Sequence, residues 1–525
     1  MFRRHASAPL GWGIGIACAL VVVRADSALA SGIEDVPTGT VGLGRAANHV
    51  RVNNFMATFQ NPANLAVIPG NDLGFELRLP LLQACFDRAR DNNVDYHMSN
   101  PDRGETGTES FAKVCNDGTP LPTGHGGWAH SFESGWGYGI GIFSPAAIAN
   151  QRYGGDTILT VSPLPDETLP STTSGVESPN RFLLLERSAI AAYLMAGAGV
   201  ELLPQLRIGA SAGVGFANIH NRSVASVMGG SFRDQEILID LNVTDWLVPR
   251  ALVSAVAAPV DGLDLMASFA YQDDIRGSGT AELDANGFVG APLDDCRSQD
   301  AMGAPNPGNR CQVEDVRLHA KLPRFEAMAG IRYAARRSPR KRVSDPLADE
   351  LWDVELNAYW SQTSHVDRFV IDLYEAVPEQ LGPHIAFSSS PNTIPLALPP
   401  QANIARKWHD TFGVRLGGDI NLVPSQLAVR LGASYETRGT PVATMNIDAW
   451  PVAKLGVHLG ATLAIDSIRM HVAYAHVFYQ PVDVTVGRGE VLEIASIGQD
   501  SALPVNEGRY EAALNVLSVG GSVTF

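Results

Sequence analysis

Apolar and polar residues alternate with a period of two along much of the chain. Between Leu206 and Phe216 every second residue is apolar, and the residues between them are mostly small or polar. The same alternation recurs in the segments 135–142 and 426–436. Because successive side chains of a β-strand point to opposite faces, these segments are predicted to be strands with one apolar face.

The predicted strands are joined by connections that alternate between short and long. Short connections are predicted at residues 201–205, 259–262, 423–425 and 465–467, and a longer basic one at 336–349 falls on the same side by count. Long polar loops, rich in Gly, Pro and Asn, are predicted at residues 86–119, 147–179, 273–314, 362–407 and 480–509. Alternation alone also fits a soluble sandwich, but turns at one end and loops at the other favour a membrane barrel of about fourteen strands.

The aromatic residues and the last strand point to the same class of protein. The tryptophans after the first thirty residues fall near predicted strand ends, where membrane barrels carry aromatic girdles: Trp128, Trp136, Trp246, Trp352, Trp360, Trp408 and Trp450. In the last strand Leu517, Val519, Val523 and Phe525 share one face. The sequence therefore predicts an all-β protein, an antiparallel transmembrane β-barrel over residues 73–525 with its C-terminus on the periplasmic side.

Two segments precede the predicted barrel. Residues 1–30 carry Arg3 and Arg4, an apolar stretch over 10–23 and the sequence Ala28-Leu29-Ala30, the pattern of a cleaved signal peptide. Residues 31–72 are too polar and too rich in Gly and Asn to form a barrel strand. We expect this second segment to plug the lumen as a hatch, as larger barrels often require.

Composition and charge exclude other classes. Of the 525 residues 18% are charged, yet no run after residue 30 approaches the ~20 apolar residues of a spanning helix. The formal net charge of −16 argues against nucleic acid as a partner, because such a body repels phosphates. The basic residues at 336–342 are interpreted as a solvated turn.

Four cysteines remain after the signal peptide, an even number in an exported chain, which favours disulfides over metal ligation. Cys85 and Cys115 flank one long loop, whereas Cys296 and Cys311 lie at another. Local pairing within each couple is therefore predicted among the three possible connectivities. No metal site and no cofactor is expected.

Two motifs near the N-terminus resemble the long-chain fatty acid transporter family of outer-membrane proteins, which includes FadL-like and TodX-like channels. They are the Gly-Leu-Gly-Arg-Ala sequence at 42–46 and the Asn61-Pro62-Ala63 triplet that follows Phe59 and Gln60. The resemblance continues in the glycine-rich segment 136–141, in Lys321-Leu322-Pro323 and in the terminal Phe525. It implies a fourteen-stranded barrel with an N-terminal hatch and an inward kink of the third strand that opens the barrel wall.

The resemblance also implies which residues control passage. Asn61, Pro62 and Ala63 match the hatch motif that lies against the kink in this family, and Ser144 and Pro145 fall where the third strand is expected to break. Proline cannot donate to the strand ladder, and glycines at 137, 139 and 141 leave room for another backbone.

The resulting expectation is passive uptake of hydrophobic compounds, with long-chain fatty acids as the default substrate and no motif for energy coupling. Inward parity places Arg207, Arg415, Arg430 and Arg469 in the lumen beside acidic residues. Most lumen charges are expected to pair, because a buried charge needs a partner, although an unpaired arginine suits a substrate carboxylate.

Two alternatives belong to other classes, a lipid hydrolase and a structural or adhesive barrel. Residues 209–213 match the Gly-x-Ser-x-Gly pattern of a nucleophile elbow, but the alternation continues through them and turns Ser211 toward the lumen. A structural barrel has no need of the hatch motif. The chain is therefore not expected to be an enzyme.

The expected location is the outer membrane of a Gram-negative bacterium. The expected partners are a hydrophobic small molecule, outer-membrane lipids and lipopolysaccharide, and the barrel assembly machinery through the C-terminal strand. The chain is expected to be a monomer and not to bind nucleic acid.

Overall fold

The strands of the chain close into a single antiparallel barrel. The structure, a computed structural model, describes residues 37–89, 113–144, 147–153, 160–161, 176–226, 236–284, 294–295, 310–337, 345–373, 384–385, 396–397, 401–494 and 504–525. The last strand pairs with both the strand before it and the first strand, which closes the barrel. The prediction of a fourteen-stranded antiparallel barrel is confirmed.

The barrel strands in chain order are β1 (Asn71–Arg88), β2 (Thr123–Ser131), β3 (Trp136–Phe143), β4 (Glu186–Leu203), β5 (Leu206–Ser226), β6 (Glu236–Val260), β7 (Leu263–Gln272), β8 (Phe325–Arg336), β9 (Glu350–Ser361), β10 (Thr411–Val423), β11 (Leu427–Glu436), β12 (Lys454–Ile465), β13 (Ile468–Tyr479) and β14 (Gly508–Thr524). Each pairs with its sequence neighbour. The predicted short connections all lie at one end of the barrel, the turn side, and the long ones at the other, the loop side.

Alternation along the strands separates an apolar outer surface from a more polar interior. In β1 Leu73, Phe75 and Leu77 are exposed, whereas Glu76 and Arg78 between and beyond them are buried. An exterior of exposed large apolar side chains over a closed barrel is what a lipid bilayer stabilises. Among the described residues, no helix is long and apolar enough to cross a membrane.

The tryptophans are only partly in the predicted positions. Trp136 and Trp352 are exposed at the turn side, and Trp246 is 77% exposed at the irregularity that divides β6. Trp408 and Trp450 are buried in the loop-side connections, so their predicted place in an aromatic girdle is wrong. Proximity to a strand end in the sequence does not separate an aromatic that faces lipid from one that packs beneath a loop.

The segment before β1 lies inside the barrel and is called the hatch here (residues 37–70). It contains α1 (Thr40–Arg45), α2 (Ala57–Gln60) and a 3₁₀ helix (Pro62–Val67), and most of its side chains are buried. The barrel begins at Asn71, two residues before the predicted boundary. The predicted signal peptide and residues 31–36 lie outside the described residues.

The loop-side connections contain short strands where irregular loops were predicted. These strands are Val114–Cys115, Ala147–Arg152, Thr160–Val161, Val176–Glu177, Ile275–Asp284, Asp294–Asp295, Arg310–Ala320, Arg368–Asp372, His384–Ile385, Leu396–Ala397, Gln401–Ala405 and Val482–Val484. A short helix, α3 (Pro346–Asp349), and two 3₁₀ turns (Thr363–His365 and Val442–Thr444) complete the elements. Several of the short strands extend the barrel sheet, because β6 continues beyond the barrel and pairs there with Ile275–Asp284.

One predicted disulfide is present. Cys85 of β1 and Cys115 are directly opposed across a strand pair and are joined by a disulfide. Cys296 lies outside the described residues, and only the backbone of Cys311 is described, where it pairs with Asp294. The Cys296 to Cys311 disulfide stays a prediction, which non-reducing peptide mapping tests.

We expect the turn side to face the periplasm. A cysteine introduced at Ser467, exposed in the β12–β13 turn, should then resist a membrane-impermeant maleimide on intact cells. A cysteine at Thr485, exposed on the loop side, should be labelled. Both cysteines should react after the cells are broken. Labelling of Ser467→Cys alone on intact cells would show that the turn side, and not the loop side, faces outward.

Candidate functional site

A row of small residues across four strands seats the 3₁₀ helix of the hatch. Gly137, Gly199, Gly209 and Ser254 are register partners on β3 to β6. A Cβ atom at Gly137 would collide with the carbonyl oxygen of Leu65, and one at Gly199 or Gly209 would collide with the backbone at Pro62. Only glycine permits a backbone to approach a strand so closely. The predicted approach of another backbone to the glycines of β3 is confirmed at Gly137.

A second row on the opposite wall seats α1. Gly417 and Gly432 are register partners on β10 and β11, and the carbonyl oxygen of Arg45 lies where their Cβ atoms would be. His458, the next residue in the row, has its Nδ1 atom 2.8 Å from the carbonyl oxygen of Leu43. The hatch is therefore fixed to both sides of the lumen.

We expect Gly417→Ala to loosen the hatch, because its methyl group would overlap Arg45. Overpacking of this kind destabilises the seated position of the hatch by roughly 1–3 kcal/mol. The hatch should then leave its seat on the order of tenfold more often. Trypsin cleavage after the buried Arg45 should accelerate accordingly. Gly521→Ala is the matched control, since its Cβ atom would lie at an ordinary 3.4 Å from its nearest neighbour, the carbonyl oxygen of Arg469. Equal cleavage of the two variants would contradict the role of Gly417 as a seat.

A buried network of charges joins the hatch to the wall between β7 and β11. Its described members are Arg45, Arg51, Arg332, Arg430, Asp264, Glu350, Asp353, Glu355 and Asp419. Arg45 lies 3.0 Å from Asp353, and Glu355 accepts the backbone N–H of Val50 at 2.9 Å. Buried charges persist only when they are paired and hydrogen-bonded, so the network makes the seated position of the hatch specific.

Burial and the neighbouring charges determine the protonation states of two hatch residues, Arg51 and His49. Burial alone would lower the pKa of Arg51, but the carboxylates of Asp419 and Asp353 raise it above its ordinary value, so the guanidinium stays charged. Burial, reinforced by Arg415, lowers the pKa of His49 to about 3. The imidazole of His49 is therefore neutral at physiological pH.

Pairing with β4 resumes at Ala147, but the ladder of β3 itself ends at Phe143. Beyond it the backbone of Ser144 is bound by side chains instead of a neighbouring strand. Its N–H donates to Nδ1 of His125 at 3.2 Å, and its carbonyl oxygen accepts from Arg78 at 3.4 Å. Its hydroxyl donates to the carbonyl oxygen of Ala191 at 2.7 Å. Pro145 lies outside the described residues.

The wall is weakly joined on the other side of this break. β1 pairs with β2 only as far as Arg78, and its next strand partner on that side, within the described residues, is opposite Cys85. Between them, the side chain and backbone of Asn116 donate to the carbonyl oxygens of Leu82 and Ala84. A barrel wall opens most readily where the ladder is already interrupted.

An apolar cluster leads from the loop side to the break. Phe143 stacks on two hatch rings, Phe55 at 6.2 Å and Phe59 at 5.2 Å between centroids. The cluster continues through Tyr193 and then through loop-side residues, including Ile239, Leu241, Leu283, Val316, Leu318 and Leu373. The cluster therefore joins the apolar interior of the loop-side strands to the end of β3.

The hatch triplet lies elsewhere than expected. Asn61 donates to the carbonyl oxygen of His49 at 2.7 Å, and Ala63 donates to Ser254 at 2.9 Å. The triplet thus packs on the turn-side glycine row, which is seven residues along β3 from Ser144, or roughly 20 Å at the rise of a strand. The hatch residues that contact the end of β3 are Phe55 and Phe59. The sequence motifs identified the hatch, but they did not show which hatch residues contact the end of β3.

The four predicted lumen arginines are engaged with other parts of the protein. Arg207 donates to Asn64 at 3.2 Å, and Arg415 stacks on the ring of Tyr359 at 4.6 Å. Arg430 pairs with Asp419 at 3.3 Å, and Arg469 pairs with Asp345 at 3.0 Å. These last two also line a cavity of about 40 Å³ at the turn side, together with Arg51, Asn53 and Asn54 of the hatch.

Sequence reasoning missed Arg45, Arg78 and Arg332. Arg78 and Arg332 alternate with exposed apolar neighbours, so strand parity could have placed them in the lumen. Arg45 lies within a recognised motif, but nothing in the sequence shows that its partners are on β9 and β10. Ser211 is buried within the continuous strand β5, which confirms that its motif forms no elbow. No group of His, Cys, Asp or Glu able to hold a metal ion is found in the part of the chain that the structure describes.

The chain is thus a fourteen-stranded barrel with a hatch seated in its lumen, and solved structures align with it over nearly its whole length. A FadL homologue of Pseudomonas aeruginosa aligns with a TM-score of 0.63 at 16% identity, covering 94% of this chain and all of that one (100%). The toluene transporter TodX of Pseudomonas putida gives 0.55 at 15% identity, covering 95% of this chain and 100% of its own.

The toluene transporter TbuX of Ralstonia pickettii gives a TM-score of 0.53 at 13% identity, covering 94% of this chain and 99% of its own. No protein-family model and no curated protein matches the sequence. The predicted resemblance to the long-chain fatty acid transporter family is confirmed in the fold.

Proposed function

We propose that the chain is a passive outer-membrane channel that takes up hydrophobic compounds, with long-chain fatty acids as the default substrate, and releases them through the wall at the end of β3. The observation that carries this proposal is the apolar cluster that runs from the loop side to Ser144, where the ladder of β3 stops. This cluster would surround a hydrophobic molecule with apolar side chains up to a place where the strand pairing of the wall is interrupted.

The hatch supports lateral release over release along the barrel axis. Two rows of small residues and the buried charge network fix it across the lumen between the apolar cluster and the turn side. A hydrophobic molecule leaving past the hatch would have to separate ion pairs such as Arg45 with Asp353, whereas at Ser144 it displaces a few hydrogen bonds.

Solved structures with this fold are named for hydrophobic cargo, among them TodX and TbuX as toluene transporters and CymD as a monoaromatic hydrocarbon channel. These names support uptake of hydrophobic compounds by this chain.

Uptake into cells tests the proposal. The host should lack its own channels for hydrophobic compounds and its general porins. Expression of the chain should raise uptake of radiolabelled palmitate and leave that of radiolabelled lactose unchanged, because the hatch blocks an aqueous path. An equal rise for lactose would indicate a general pore, and a rise for neither probe would contradict a channel function.

A further inference from the structure

His125 has a defined tautomer because of its contact with the break. A backbone N–H can only donate, so the Nδ1 atom that it reaches at Ser144 must be an acceptor. A neutral imidazole that accepts at Nδ1 has its proton on Nε2. His125 therefore presents an N–H donor on its other side.

This donor is buried and has no hydrogen-bond partner among the described residues. His125 is 2% exposed, and its ring lies on the lumen side of β2, 6.3 Å from the ring of Phe143 between centroids. A buried donor without an acceptor is destabilising, and native proteins rarely retain one without a reason. Its position at the end of the apolar cluster indicates a ligand acceptor as that reason.

The charges around His125 favour an anionic acceptor. Arg78, 6% exposed, donates to the carbonyl oxygen of Ser144, the residue whose backbone N–H is bound by His125. Glu76, the register partner of His125, is already an acceptor for the backbone N–H of Thr40 at 2.6 Å. A guanidinium and an imidazole N–H side by side fit a carboxylate.

We propose that His125 and Arg78 form a head-group site at the break, which binds the carboxylate of an amphiphile as its tail enters the gap. This inference rests on the proposed function and specifies its substrate class. Movement of Ser144 uncovers the two side chains, and the carboxylate then accepts from Nε2 of His125 and pairs with Arg78. The chain should prefer fatty acids over hydrocarbons of equal length.

Two variants of His125 separate its two nitrogen atoms. In His125→Asn the amide lies near the Nδ1 position and nothing replaces Nε2–H. In His125→Gln the amide nitrogen lies near Nε2 and can donate. Both variants should be expressed in the host described above, with radiolabelled palmitate and radiolabelled hexadecane supplied together and barrel folding checked by heat-modifiable migration.

The measured quantity is the ratio of palmitate to hexadecane uptake, in which differences in expression or in opening of the break cancel. We expect His125→Asn to lower this ratio by roughly tenfold or more, since a hydrogen bond to a charged group is lost, and His125→Gln to keep most of it. An unchanged ratio in His125→Asn, or an equal loss of both probes, would overturn the head-group site and leave the channel function standing. If the unmodified chain moves neither probe, the channel function itself fails.

Discussion

Arg45→Met should destabilise the protein by roughly 3–5 kcal/mol, because it leaves buried carboxylates without their partner. Arg45 has no exposed surface and lies within 4 Å of Asp353, Glu355 and Asp419, at 3.0, 3.7 and 3.6 Å. Urea unfolding in detergent or lipid, followed by tryptophan fluorescence, measures the change. Unfolding at the same urea concentration as the unmodified chain would show that the network does not fix the hatch.

Two further variants make the Arg45 result specific. Arg509→Met removes an arginine whose partners, Asp483 and Glu511, are on the exposed loop side, and it should leave the unfolding free energy nearly unchanged. Asp353→Asn combined with Arg45→Met should recover part of the loss, since the excess negative charge is reduced. Simple additivity of the two substitutions would mean that the two residues are not coupled.

Ser144→Arg should reduce palmitate uptake by on the order of tenfold or more, equivalent to at least about 1.4 kcal/mol in the barrier to release. Ser144 is 8% exposed, and its hydroxyl is bonded to Ala191, so a larger side chain must occupy the gap beside Arg78. Palmitate uptake by cells expressing the variant measures this effect.

Ser467→Arg is the control, because it adds the same charge at an exposed turn far from the break. It should leave uptake near that of the unmodified chain. Normal uptake by Ser144→Arg would mean that ligand does not leave at β3. Exit past the hatch, through the turn-side cavity lined by Arg51, Arg430 and Arg469, would then be the better hypothesis.

Most of the barrel could be predicted from the sequence because the bilayer imposes a simple rule on it. Each spanning strand must turn every second side chain to lipid, which produces the alternation seen along β1 and β5. Loop-side strands such as Ile275–Asp284 lie within segments that were predicted as loops, although Ile275–Asp284 itself alternates apolar or small residues with polar ones. They form because β6 extends beyond the barrel and offers them an edge, which only the paired structure reveals.

The seat of the hatch could not be predicted, since it depends on which residues of distant strands lie side by side. Gly199 and Gly209 look like ordinary strand glycines in the sequence, and Gly137 indicates only that some backbone can approach β3. They become a seat only because the register places them in one row. The charge network also depends on contacts between distant parts of the chain. Arg45 and its partner Asp353 on β9, for example, are 308 residues apart in the sequence.

The path of the ligand through the wall is tested most directly by photocrosslinking. A fatty acid with a diazirine on its chain would be supplied to cells expressing the chain, activated by light and located by peptide mass spectrometry. Lateral release predicts crosslinks on residues 79–82 of β1 and on Phe143 and Ser144, which border the gap in the wall. Crosslinks confined to residues 48–54 of the hatch and to Arg469 would contradict it, because they would place the ligand on the axial route to the turn side.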